Sequence, residues 1–318
     1  MTYQNVKGTR DYLPEEEIVR REIKRTLEDV FIQYGCKPLE TPILNYNELL
    51  ASKYGGGSEI LEEMYNLEDR GKRNLALRYD LTIPFAKVIA MNPSIRMPFK
   101  RYEIGKVFRD GPIKTGRLRE FTQCDVDIVG VSSHVAEAEL IMMAIDAFKR
   151  LDLDIKIKYN NRKLLTGMLE ACGTQPEKLN KVVLIIDKIE KVGLDAVINE
   201  LSEQGLEPPT INLIREFITD NNNTDYSFYE SSTKQNKNLK QGIKELKELE
   251  GYIEYLGIKN QCVFSPFLAR GLDIYTGTIY EIFLADLSIK SSIGSGGRYD
   301  NAIGGLIGSE EKFSTVGI

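Results

Sequence analysis

Apolar residues recur at the spacing of an amphipathic helix in several parts of the chain. In residues 14–33, one helical stripe is formed by Ile18, Ile23, Leu27 and Val30. A proline and three glutamates begin this stretch, as suits a first helical turn, and Gly35 suits its end. The same spacing predicts a short helix over residues 83–92 and a longer one from Val135 to about Leu151.

Alternation with a period of two, which is typical of strands, dominates other segments. Residues 99–109 and 117–129 predict the two strands of a hairpin around "DGPIKTG". Its loop of about seven residues is longer than a tight turn requires, and such loops often contact ligands. Short strands or extended segments are predicted at three further places: "KPLETPILN", "NLALRYDLT" and "NQCVFSPFLARGLDIYTGTIYEIF".

Residues 158–258 follow a different pattern, because Lys- and Glu-rich helices surround the polar stretch "TDNNNTDYSFYESSTKQNKN". Few apolar residues lie in that stretch, so we interpret it as a loop in a helical insertion. Together the patterns predict an α+β fold with a mixed, mainly antiparallel sheet flanked by helices. Residues 1–157 and 259–318 would build the sheet domain, with residues 158–258 inserted as a helical module.

The second strand of the hairpin, in "GRLREFTQCDVD" (116–127), has different chemistry on its two faces. One face is mostly core-like and holds Leu118, Glu120, Thr122, Cys124 and Val126. The opposite face changes from cationic through aromatic to acidic along its length: Arg117, Arg119, Phe121, Gln123, Asp125 and Asp127. The alternation alone therefore shows a polar face of graded charge.

The composition of the chain limits which classes of function it is compatible with. The 318 residues are 42% hydrophobic, which suffices for a substantial core and for two domains. A formal net charge of −5 argues against a globally basic nucleic-acid binder, although it is compatible with a local basic patch. The N-terminal "MTYQNVKGTR" lacks the apolar segment of a signal peptide, and no run is long enough to span a membrane.

The cysteines and the histidine restrict the chemistry further. Four scattered cysteines without a CxxC pair indicate reduced, mostly structural thiols in a cytoplasmic protein and argue against a zinc site. His134 is the single histidine, so any Ser-His-Asp or Cys-His mechanism would need it. It lies at the predicted start of a helix, where we expect a surface role rather than catalysis.

The hairpin loop sequence "GPIKTGRL" resembles a phosphate-binding P-loop only in its two glycines. It lacks the Lys-Ser/Thr pair and leads into a strand rather than a helix, so we reject that interpretation. Four basic residues nevertheless gather around the hairpin: Arg109, Lys114, Arg117 and Arg119. Guanidinium groups suit polyphosphate oxygens, whereas a solvated basic hairpin explains the same residues equally well from composition alone.

The segment "RGLDIYTGTIYE" has two interpretations. As a strand it would place Asp273, Tyr275 and Gly277 on one face, with Gly277 leaving room for a ligand near the backbone. Alternatively, Gly271 makes a turn, Tyr275 packs in the core and Arg270 is exposed. In isolation this second interpretation is favoured.

Two further segments carry polar groups where strands end. In "LRYDLT", Asp80 and Thr82 lie where a strand gives way to a helix, so Asp80 either caps that helix or receives a substrate ammonium. "GSGGRYD" has too few correctly spaced glycines for a dinucleotide site. Its glycines instead permit close backbone packing beneath a pocket, with Tyr299 pointing into it.

The chain resembles the catalytic domain of histidyl-tRNA synthetases, which are class II aminoacyl-tRNA synthetases, over nearly its whole length. Six ordered motifs carry the resemblance: "KGTRDYLP", "ALRYDLTIPFAKVIAMN", "FKRYEIGKVFR", "GRLREFTQCDVDIVG", "LARGLDIYTGTIYE" and "GGRYD". The resemblance implies the class II fold, with a homodimer interface built by the segment ending at Pro42. It also implies that the hairpin binds ATP, that "LARGLDIYTG" recognises histidine and that residues 158–258 reach toward the tRNA acceptor arm.

The reaction implied by the resemblance has two steps. The histidine carboxylate attacks the α-phosphate of ATP to give histidyl-adenylate and pyrophosphate, and the acyl group then passes to tRNA(His). Positioning and charge stabilisation by guanidinium groups and Mg²⁺ can carry such phosphoryl chemistry without a protein nucleophile. A chain with a single histidine is therefore compatible with this enzyme.

The resemblance also assigns roles to individual residues of this chain. The ATP contacts would be Arg109 at the α-phosphate, Arg117 at the outer phosphates and Phe121 at the adenine. The α-ammonium group of histidine would meet Asp80, Thr82 and Gln123. Its imidazole would meet Asp127 and Tyr275 in a pocket lined by Tyr299. Arg270 would stabilise charge at the α-phosphate from the side opposite Arg109, and Asp125 is not assigned a substrate contact.

The chain departs from the family pattern in three respects. Ile274 replaces the first of two tyrosines that many relatives have, and Gly111 stands where the hairpin loop often has an acid that reads adenine. The chain ends at "FSTVGI", where the family continues into the third class II motif and its adenine-covering arginine. We therefore expect a truncated catalytic fragment with weak ATP binding and negligible aminoacylation on its own.

A non-enzymatic alternative is the synthetase-like regulatory subunit of ATP phosphoribosyltransferase, which has the same fold and lacks the anticodon domain. Such paralogues generally lose the arginine before "GLD". Because this chain keeps Arg270 together with Arg109 and Arg117, the synthetase interpretation is favoured. A nucleic-acid-binding protein without catalysis is disfavoured by the acidic balance of the chain.

Overall fold

The computed structural model describes residues 3–51, 59–113, 116–231, 236–270 and 274–318. Its helices are α1 (Pro14–Gln33), α2 (Asn47–Ala51), α3 (Glu59–Glu62), α4 (Thr82–Met91), α5 (Val135–Arg150), α6 (Arg162–Ala171), α7 (Leu179–Ile186), α8 (Ile189–Val192), α9 (Leu194–Glu203), α10 (Pro208–Thr219), α11 (Tyr226–Glu230), α12 (Lys237–Tyr255) and α13 (Ala302–Leu306). Its strands are β1 (Lys37–Pro38), β2 (Leu44–Tyr46), β3 (Asn66–Glu68), β4 (Asn74–Leu77), β5 (Phe99–Phe108), β6 (Glu120–Val129), β7 (Ile155–Asn161), β8 (Cys262–Phe264), β9 (Thr278–Leu284), β10 (Gly294–Arg298) and β11 (Thr315–Gly317).

The chain divides into two compact units. The first unit comprises Met1–Val131, Lys149–Asp152 and Asp300–Ile318. The second unit comprises Ser132–Phe148 and Leu153–Tyr299.

The β5–β6 hairpin is the centre of the first unit. Its two strands pair antiparallel over their whole length, β1 runs parallel to β5, and β11 runs antiparallel to β6. The strands predicted at 99–109 and 117–129 are confirmed, but the connection between them runs from 109 to 119 and is longer than expected. The strands β2, β4 and β3 form a separate antiparallel sheet in that order.

Helix α1, predicted over residues 14–33, covers one face of this hairpin. The Tyr102 hydroxyl donates to Glu28 of α1 at 2.6 Å, and Arg20 of α1 donates to the Thr122 hydroxyl at 3.1 Å. The face of β6 that the alternation marks as core-like therefore lies under α1. Because side chains alternate along a strand, the graded face points to the opposite side of β6.

Helix α4, the predicted short helix, contributes to the core of the first unit. Phe85, Ala86 and Ile89 form one buried cluster with Val129 and Ile303. Their spacing along α4 is that of the buried side of a helix. Burying a side chain of the size of Phe85 or Ile89 contributes about 1.5–3 kcal/mol to the stability of the folded protein. This packing fixes the first turn of α4 relative to the end of β6.

The strands of the second unit lie in the order β10, β9, β7 and β8. Strand β9 pairs antiparallel with β10 and with β7, and β8 is parallel to β7. Helices flank strands that pair mainly antiparallel, so the predicted α+β class is confirmed. Strand β7 runs to Asn161, however, so residues 158–161 are strand rather than the start of the helical region.

Two glycines lie where helices α6 and α12 pack against each other. Gly167 of α6 packs against the backbone of Leu239, and Gly242 of α12 packs against the backbone of Leu164. A β-carbon at either glycine would overlap the facing backbone. The absence of side chains at these two positions therefore lets α6 and α12 approach closely.

The polar stretch before α12 is more than a loop in its described part. It contains α11, whose Tyr229 is fully buried, donates to the carbonyl oxygen of Asn223 and meets Phe217 and Phe264 edge-on. The prediction of a loop is wrong there. A few aromatic side chains supply the burial that the low count of apolar residues did not indicate.

The strand predicted across "RGLDIYTG" is also wrong in its described part. Residues 274–277 are irregular and β9 begins at Thr278, while Asp273 lies outside the described residues. All four cysteines are free thiols. In the described part of the chain, no helix is long and apolar enough to cross a membrane.

Candidate active site

Charged side chains are buried together in the first unit, in what we call the acidic cluster. Its members are Asp80, Glu103, Asp125, Asp127, Arg78 and Arg101, and each exposes 7% of its surface or less. Charged residues are rarely this inaccessible unless they are paired. The cluster contains more acids than bases, so it favours an additional cation.

Arg101 is the centre of the acidic cluster. Its Nη2 atom lies 2.6 Å from Oδ2 of Asp127 and donates to the carbonyl oxygen of Leu81 at 3.0 Å. Its Nη1 atom lies 3.6 Å from Oε2 of Glu103, and its guanidinium carbon lies 4.4 Å from the ring centre of Phe85. Arg101 therefore links β6 to the turn that precedes α4.

The carboxyl group of Asp125 has a strongly raised pKa. Burial raises the pKa of Asp125 to about 8, although the guanidinium group of Arg101 opposes the rise. Nearby carboxylates add to it: Asp127, Asp80 and Glu103. Asp80 and Asp127, which we predicted to bind one substrate, thus contribute to the same negative field. Asp125 shares that field although it was not assigned a substrate contact.

Two of the predicted histidine ligands lie at the start of α4. Oδ1 of Asp80 accepts the N–H of Ile83 in the first turn of α4 at 3.1 Å, as predicted for a residue that stabilises the helix start, although the N-cap position itself is Leu81. Thr82 is the first residue of α4 and is half-buried. A substrate contact of either side chain stays a prediction.

Gln123 lies half-buried on the graded face of β6. Its Oε1 atom is inaccessible to solvent and has no hydrogen-bond partner among the described residues. A buried acceptor without a donor is costly to the folded protein. The Gln123 oxygen therefore suits a donor group on a bound ligand.

Arg109 and Phe121 lie beside each other at the end of the hairpin. The Nε atom of Arg109 donates to the carbonyl oxygen of Tyr79 at 3.0 Å, and its guanidinium carbon lies 5.2 Å from the ring centre of Phe121. Both side chains are half-buried. Arg109 is therefore held in place rather than free in solvent, and an aromatic ring lies next to its charge.

The other basic residues of the hairpin are held to different degrees. Arg119 pairs with Asp110 at 3.0 Å, and its backbone N–H donates to the carbonyl oxygen of Gly8 at 2.8 Å. Arg117 is exposed, and Lys114 lies outside the described residues. The interpretation as a solvated basic hairpin therefore fits Arg117 but is wrong for Arg119.

In the second unit, Arg270 is held by Glu281 and lies near Tyr275. Its Nη1 atom is 2.8 Å from Oε1 of Glu281, and its guanidinium carbon is 5.9 Å from the ring centre of Tyr275. Burial disfavours the charged form of Arg270, but Tyr275 and Glu281 outweigh this effect and raise its pKa. The interpretation in which Arg270 is exposed is wrong, because only 22% of its side chain is accessible.

The helical region holds the backbone around Arg270. Oδ1 of Asp187 accepts the N–H of Ala269 at 3.1 Å, and Nη1 of Arg162 donates to the carbonyl oxygen of Arg270 at 3.4 Å. Burial raises the pKa of Asp187 to about 6, while the hydrogen bond from Ala269 opposes the rise. The backbone of the segment that carries Arg270 is therefore held by Asp187 and Arg162.

Tyr299 follows β10 and is 2% exposed. The preceding residue, Arg298, donates two hydrogen bonds of 2.6 Å to Glu137. A β-carbon on Gly277 would lie 3.2 Å from Cδ of Arg298, so the room at Gly277 is used by Arg298. Gly297 packs against the backbone of β9, which confirms the predicted close packing of the "GSGGRYD" glycines.

His134 is buried, although we expected it on the surface. Only 8% of its side chain is accessible, and its Nδ1 atom lies 3.3 Å from Oε2 of Glu248. Glu137 and Glu245 also approach its Nε2 atom, at 4.0 and 3.9 Å. The expectation was wrong because α12, which carries Glu245 and Glu248, covers the start of α5.

Four residues that contact the predicted site residues or their neighbours were not predicted from the sequence: Arg101, Glu281, Arg298 and Gly317. Gly317 pairs with Asp127 across β11 and β6, and its missing β-carbon leaves room for the carboxylate. Arg101, Glu281 and Arg298 all lie inside the quoted motifs. The signal available in the sequence was their charges, which pair with Asp127 in β6, with Arg270 before β9 and with Glu137 in α5.

The chemistry open to these groups is electrostatic. The acidic cluster can hold a cation, and Arg109 and Arg270 can hold anionic oxygens. Among the residues that the structure describes, no group of three or more His, Cys, Asp or Glu side chains is arranged to bind a metal ion.

Comparison with known proteins identifies close relatives. The family model described as histidyl-tRNA synthetase matches residues 8–315. Histidine–tRNA ligase 2 of Shouchella clausii is 60% identical over 316 residues, which are 99% of this chain and 74% of that protein. Histidine–tRNA ligase 1 of Bacillus cereus is 57% identical over 318 residues, which are 100% of this chain and 73% of that protein.

Solved structures have the same fold. Histidyl-tRNA synthetase from Nostoc sp. PCC 7120 matches with a TM-score of 0.85 at 30% identity, covering 100% of this chain and 73% of that chain. A protein named ATP phosphoribosyltransferase regulatory subunit/histidyl-tRNA synthetase, from Bacillus halodurans C, matches with a TM-score of 0.82 at 21% identity, covering 100% and 80%. At that identity the second match shows a shared fold alone.

Proposed function

Because this chain belongs to the histidyl-tRNA synthetase family, we propose that it is a histidine–tRNA ligase. Its residues would form the catalytic part of the ligase, which activates histidine with ATP to histidyl-adenylate and transfers the histidyl group to tRNA(His). The observation that carries the proposal is the identity of 60% and 57%, over 99% and 100% of this chain, to proteins named histidine–tRNA ligase. The regulatory-subunit alternative has a fold likeness at 21% identity in its favour.

The α-ammonium group of histidine binds Asp80, Thr82 and Gln123 in this proposal. The buried Oε1 atom of Gln123 supplies an acceptor that has no other donor among the described residues. The excess of acids in the acidic cluster attracts a positive group, and a charge-assisted hydrogen bond is stronger than a neutral one. Asp80 is already oriented by the N–H of Ile83.

The imidazole of histidine binds Asp127 and Tyr275, with Tyr299 lining the pocket. Asp127 is supported for this role by its contact with Arg101, which fixes the direction of the carboxylate. A carboxylate accepts hydrogen bonds, and at least one imidazole nitrogen donates one in every protonation state. Asp127 therefore suits the ring whether it is neutral or charged.

The phosphates of ATP bind Arg109 and Arg117, and its adenine stacks on Phe121. Arg109 would hold the α-phosphate, and the exposed Arg117 would meet the outer phosphates. The Arg109 guanidinium lies beside the Phe121 ring, so adenine stacking and α-phosphate binding would be coupled. Mg²⁺ enters with these phosphates as part of the substrate.

The activation step forms a bond between a carboxylate oxygen of histidine and the α-phosphorus of ATP. The bond from that phosphorus to the oxygen bridging the α- and β-phosphates breaks, and pyrophosphate leaves without any proton transfer. Arg109 and Arg270 stabilise the negative charge at the α-phosphate. One such preorganised donor typically contributes about a hundredfold to a thousandfold in rate.

Transfer to tRNA(His) would involve the helical region, residues 158–258, which we propose contacts the acceptor arm. Residues 1–157 and 259–318 would form the catalytic domain in two parts. Because tRNA charging takes place where proteins are made, we place the chain in the cytoplasm. Filter binding of tRNA(His), compared with a noncognate tRNA, tests the assignment of the helical region.

We also propose a homodimer, formed through the segment ending at Pro42. Helix α1 supports it, because Ile18 and Val19 expose 67% and 59% of their surfaces. Adjacent exposed apolar side chains are common at interfaces between chains. Sedimentation equilibrium tests the proposal, since a single monomeric species at micromolar concentration would contradict it.

Calorimetry with histidine and histidine-dependent pyrophosphate exchange together test the enzymatic proposal. Histidine should bind, Asp127→Ala should abolish binding, and Arg270→Ala should spare binding but slow the exchange. No exchange above a histidine-free control at saturating substrates would contradict the activation step. Histidine binding without exchange would favour the regulatory-subunit alternative.

A further inference from the structure

We propose that Arg101 is a positioning residue for histidine, which holds Asp127 and the start of α4 in one fixed arrangement. The inference rests on the proposed function, because that function assigns histidine to Asp127, Asp80 and Thr82. Arg101 itself is fully buried, so it has no access to a ligand in solvent. Its effect on substrate must pass through the groups that it contacts.

One guanidinium nitrogen makes the connection. Nη2 of Arg101 lies 2.6 Å from Oδ2 of Asp127 and donates to the carbonyl oxygen of Leu81 at 3.0 Å. Leu81 stands between Asp80 and Thr82, which are assigned to the α-ammonium group. Arg101 therefore holds both the proposed imidazole contact on β6 and the proposed ammonium contacts at the start of α4.

The planar guanidinium group also fixes the direction of this anchor. Its carbon lies 4.4 Å from the ring centre of Phe85, one turn into α4, and Nη1 lies 3.6 Å from Oε2 of Glu103. A guanidinium held on a ring and between two carboxylates has little freedom to rotate. Lysine carries the same charge but cannot reproduce the two directions of contact from one planar group.

Arg78 gives a matched comparison within the same cluster. It is also buried, and its Nη1 atom donates to Glu103 at 2.7 Å and to the Thr41 hydroxyl at 2.9 Å. Neither partner is assigned to a substrate. If both residues acted in folding alone, substitutions of Arg78 and Arg101 would affect histidine binding equally. If Arg101 positions histidine, its substitution would have the larger effect.

The test measures histidine binding by calorimetry and the KM for ATP in pyrophosphate exchange for Arg101→Lys and Arg78→Lys. Arg101→Lys should raise the Kd for histidine roughly tenfold to a hundredfold. The KM for ATP should remain unchanged in Arg101→Lys, and Arg78→Lys should lower the melting temperature while raising the Kd for histidine much less than Arg101→Lys does. Equal effects of the two variants on histidine binding would overturn the inference.

A double-mutant cycle keeps the test decisive if single variants fold poorly. Arg101→Met with Asp127→Asn removes both charges of this pair, and Glu103 keeps its ion pair with Arg78 at 2.7 Å. If Arg101 acts through Asp127 and the start of α4, the two substitutions together should cost less binding free energy than the sum of the two separate losses. Additive losses would overturn the inference, whereas absence of histidine binding by the unmodified chain would overturn the proposed function as well.

Discussion

Gly317 faces Asp127 across the β11–β6 pair and packs directly against its carboxylate. A β-carbon at Gly317 would overlap Oδ1 of Asp127, so the carboxylate would have to turn away from its contact with Arg101. We expect Gly317→Ala to raise the Kd for histidine about tenfold, because small displacements of a binding group weaken binding strongly. Titration calorimetry measures this change.

Gly305→Ala is the matched control for Gly317→Ala. Gly305 lies in α13 of the same unit, and an added β-carbon there would meet nothing within 4 Å. Alanine in a helix is favoured over glycine by roughly 1 kcal/mol, so this variant should be slightly more stable and bind histidine normally. Equal histidine affinity in the two variants would contradict the steric argument.

The faces of the hairpin strands could be predicted from the sequence, but their pairing could not. Alternation is a local property, and it correctly separated the α1-facing side of β6 from the graded side. A hairpin closed between 109 and 117 would pair Arg101 with Asp125, whereas the observed register pairs Arg101 with Asp127. A shift of two residues keeps each side chain on its face and changes its partner.

Burial by distant segments was the other property that local patterns did not reveal. Helix α12 covers His134, which is more than a hundred residues away in sequence, by the contact with Glu248. Tyr229 is likewise buried against Phe217 and Phe264. In each case the covering side chains come from another element, so the local sequence carries no trace of them.

Asp125→Asn should change how stability depends on pH. Burial raises the pKa of Asp125 to about 8 in the folded protein, against about 3.9 for an unfolded aspartate. The folded state therefore binds this proton more tightly than the unfolded state does. The resulting stabilisation is complete below about pH 4 and is lost as the pH rises to about 8. Within that window the loss approaches about 1.4 kcal/mol per pH unit.

Urea denaturation at several pH values measures this effect. Asparagine cannot ionise. As the pH rises from about 5 to about 8, the free energy of unfolding of Asp125→Asn should therefore increase relative to that of the unmodified chain. Asp29→Asn removes a carboxyl group at an exposed position of α1 and is the control for the substitution itself. A parallel curve for Asp125→Asn would show that its carboxyl group is not perturbed.

Phe121→Leu should weaken the binding of ATP but not that of histidine. Leucine removes the proposed surface for adenine and the ring that lies 5.2 Å from the guanidinium of Arg109. Stacking of a base on an aromatic ring contributes about 1–3 kcal/mol, so we expect the KM for ATP in pyrophosphate exchange to rise about tenfold. Phe121→Tyr keeps the ring and should behave normally. An equal rise in the KM for histidine would contradict the assignment.

Glu281→Gln should slow the activation step by releasing Arg270. Glutamine keeps the shape of Glu281 but lacks the negative charge that holds Nη1 of Arg270 at 2.8 Å. We expect kcat for pyrophosphate exchange to fall about tenfold with unchanged histidine binding, and Arg270→Lys to lower it a hundredfold or more. In the double variant with Arg270→Lys, Glu281→Gln should not lower kcat any further, because the guanidinium group that Glu281 holds is absent. Independent effects would show that Glu281 does not act through Arg270.

Glu137→Ala should destabilise the protein by about 3–5 kcal/mol, because it leaves the buried Arg298 without the carboxylate that accepts both of its 2.6 Å hydrogen bonds. Glu190→Ala removes only an exposed ion pair with Lys158 and should cost less than about 1 kcal/mol.

The double variant Glu137→Met with Arg298→Met distinguishes loss of pairing from loss of packing. It removes both charges, so it should be more stable than Glu137→Ala in urea denaturation; a less stable double variant would mean that packing dominates.

The carbonyl oxygen of Arg298 accepts the N–H of Thr276 at 2.8 Å, and its side chain packs on Gly277. Faster amide exchange at Thr276 in Glu137→Ala would therefore show that the Glu137–Arg298 pair also holds the backbone beside Tyr275.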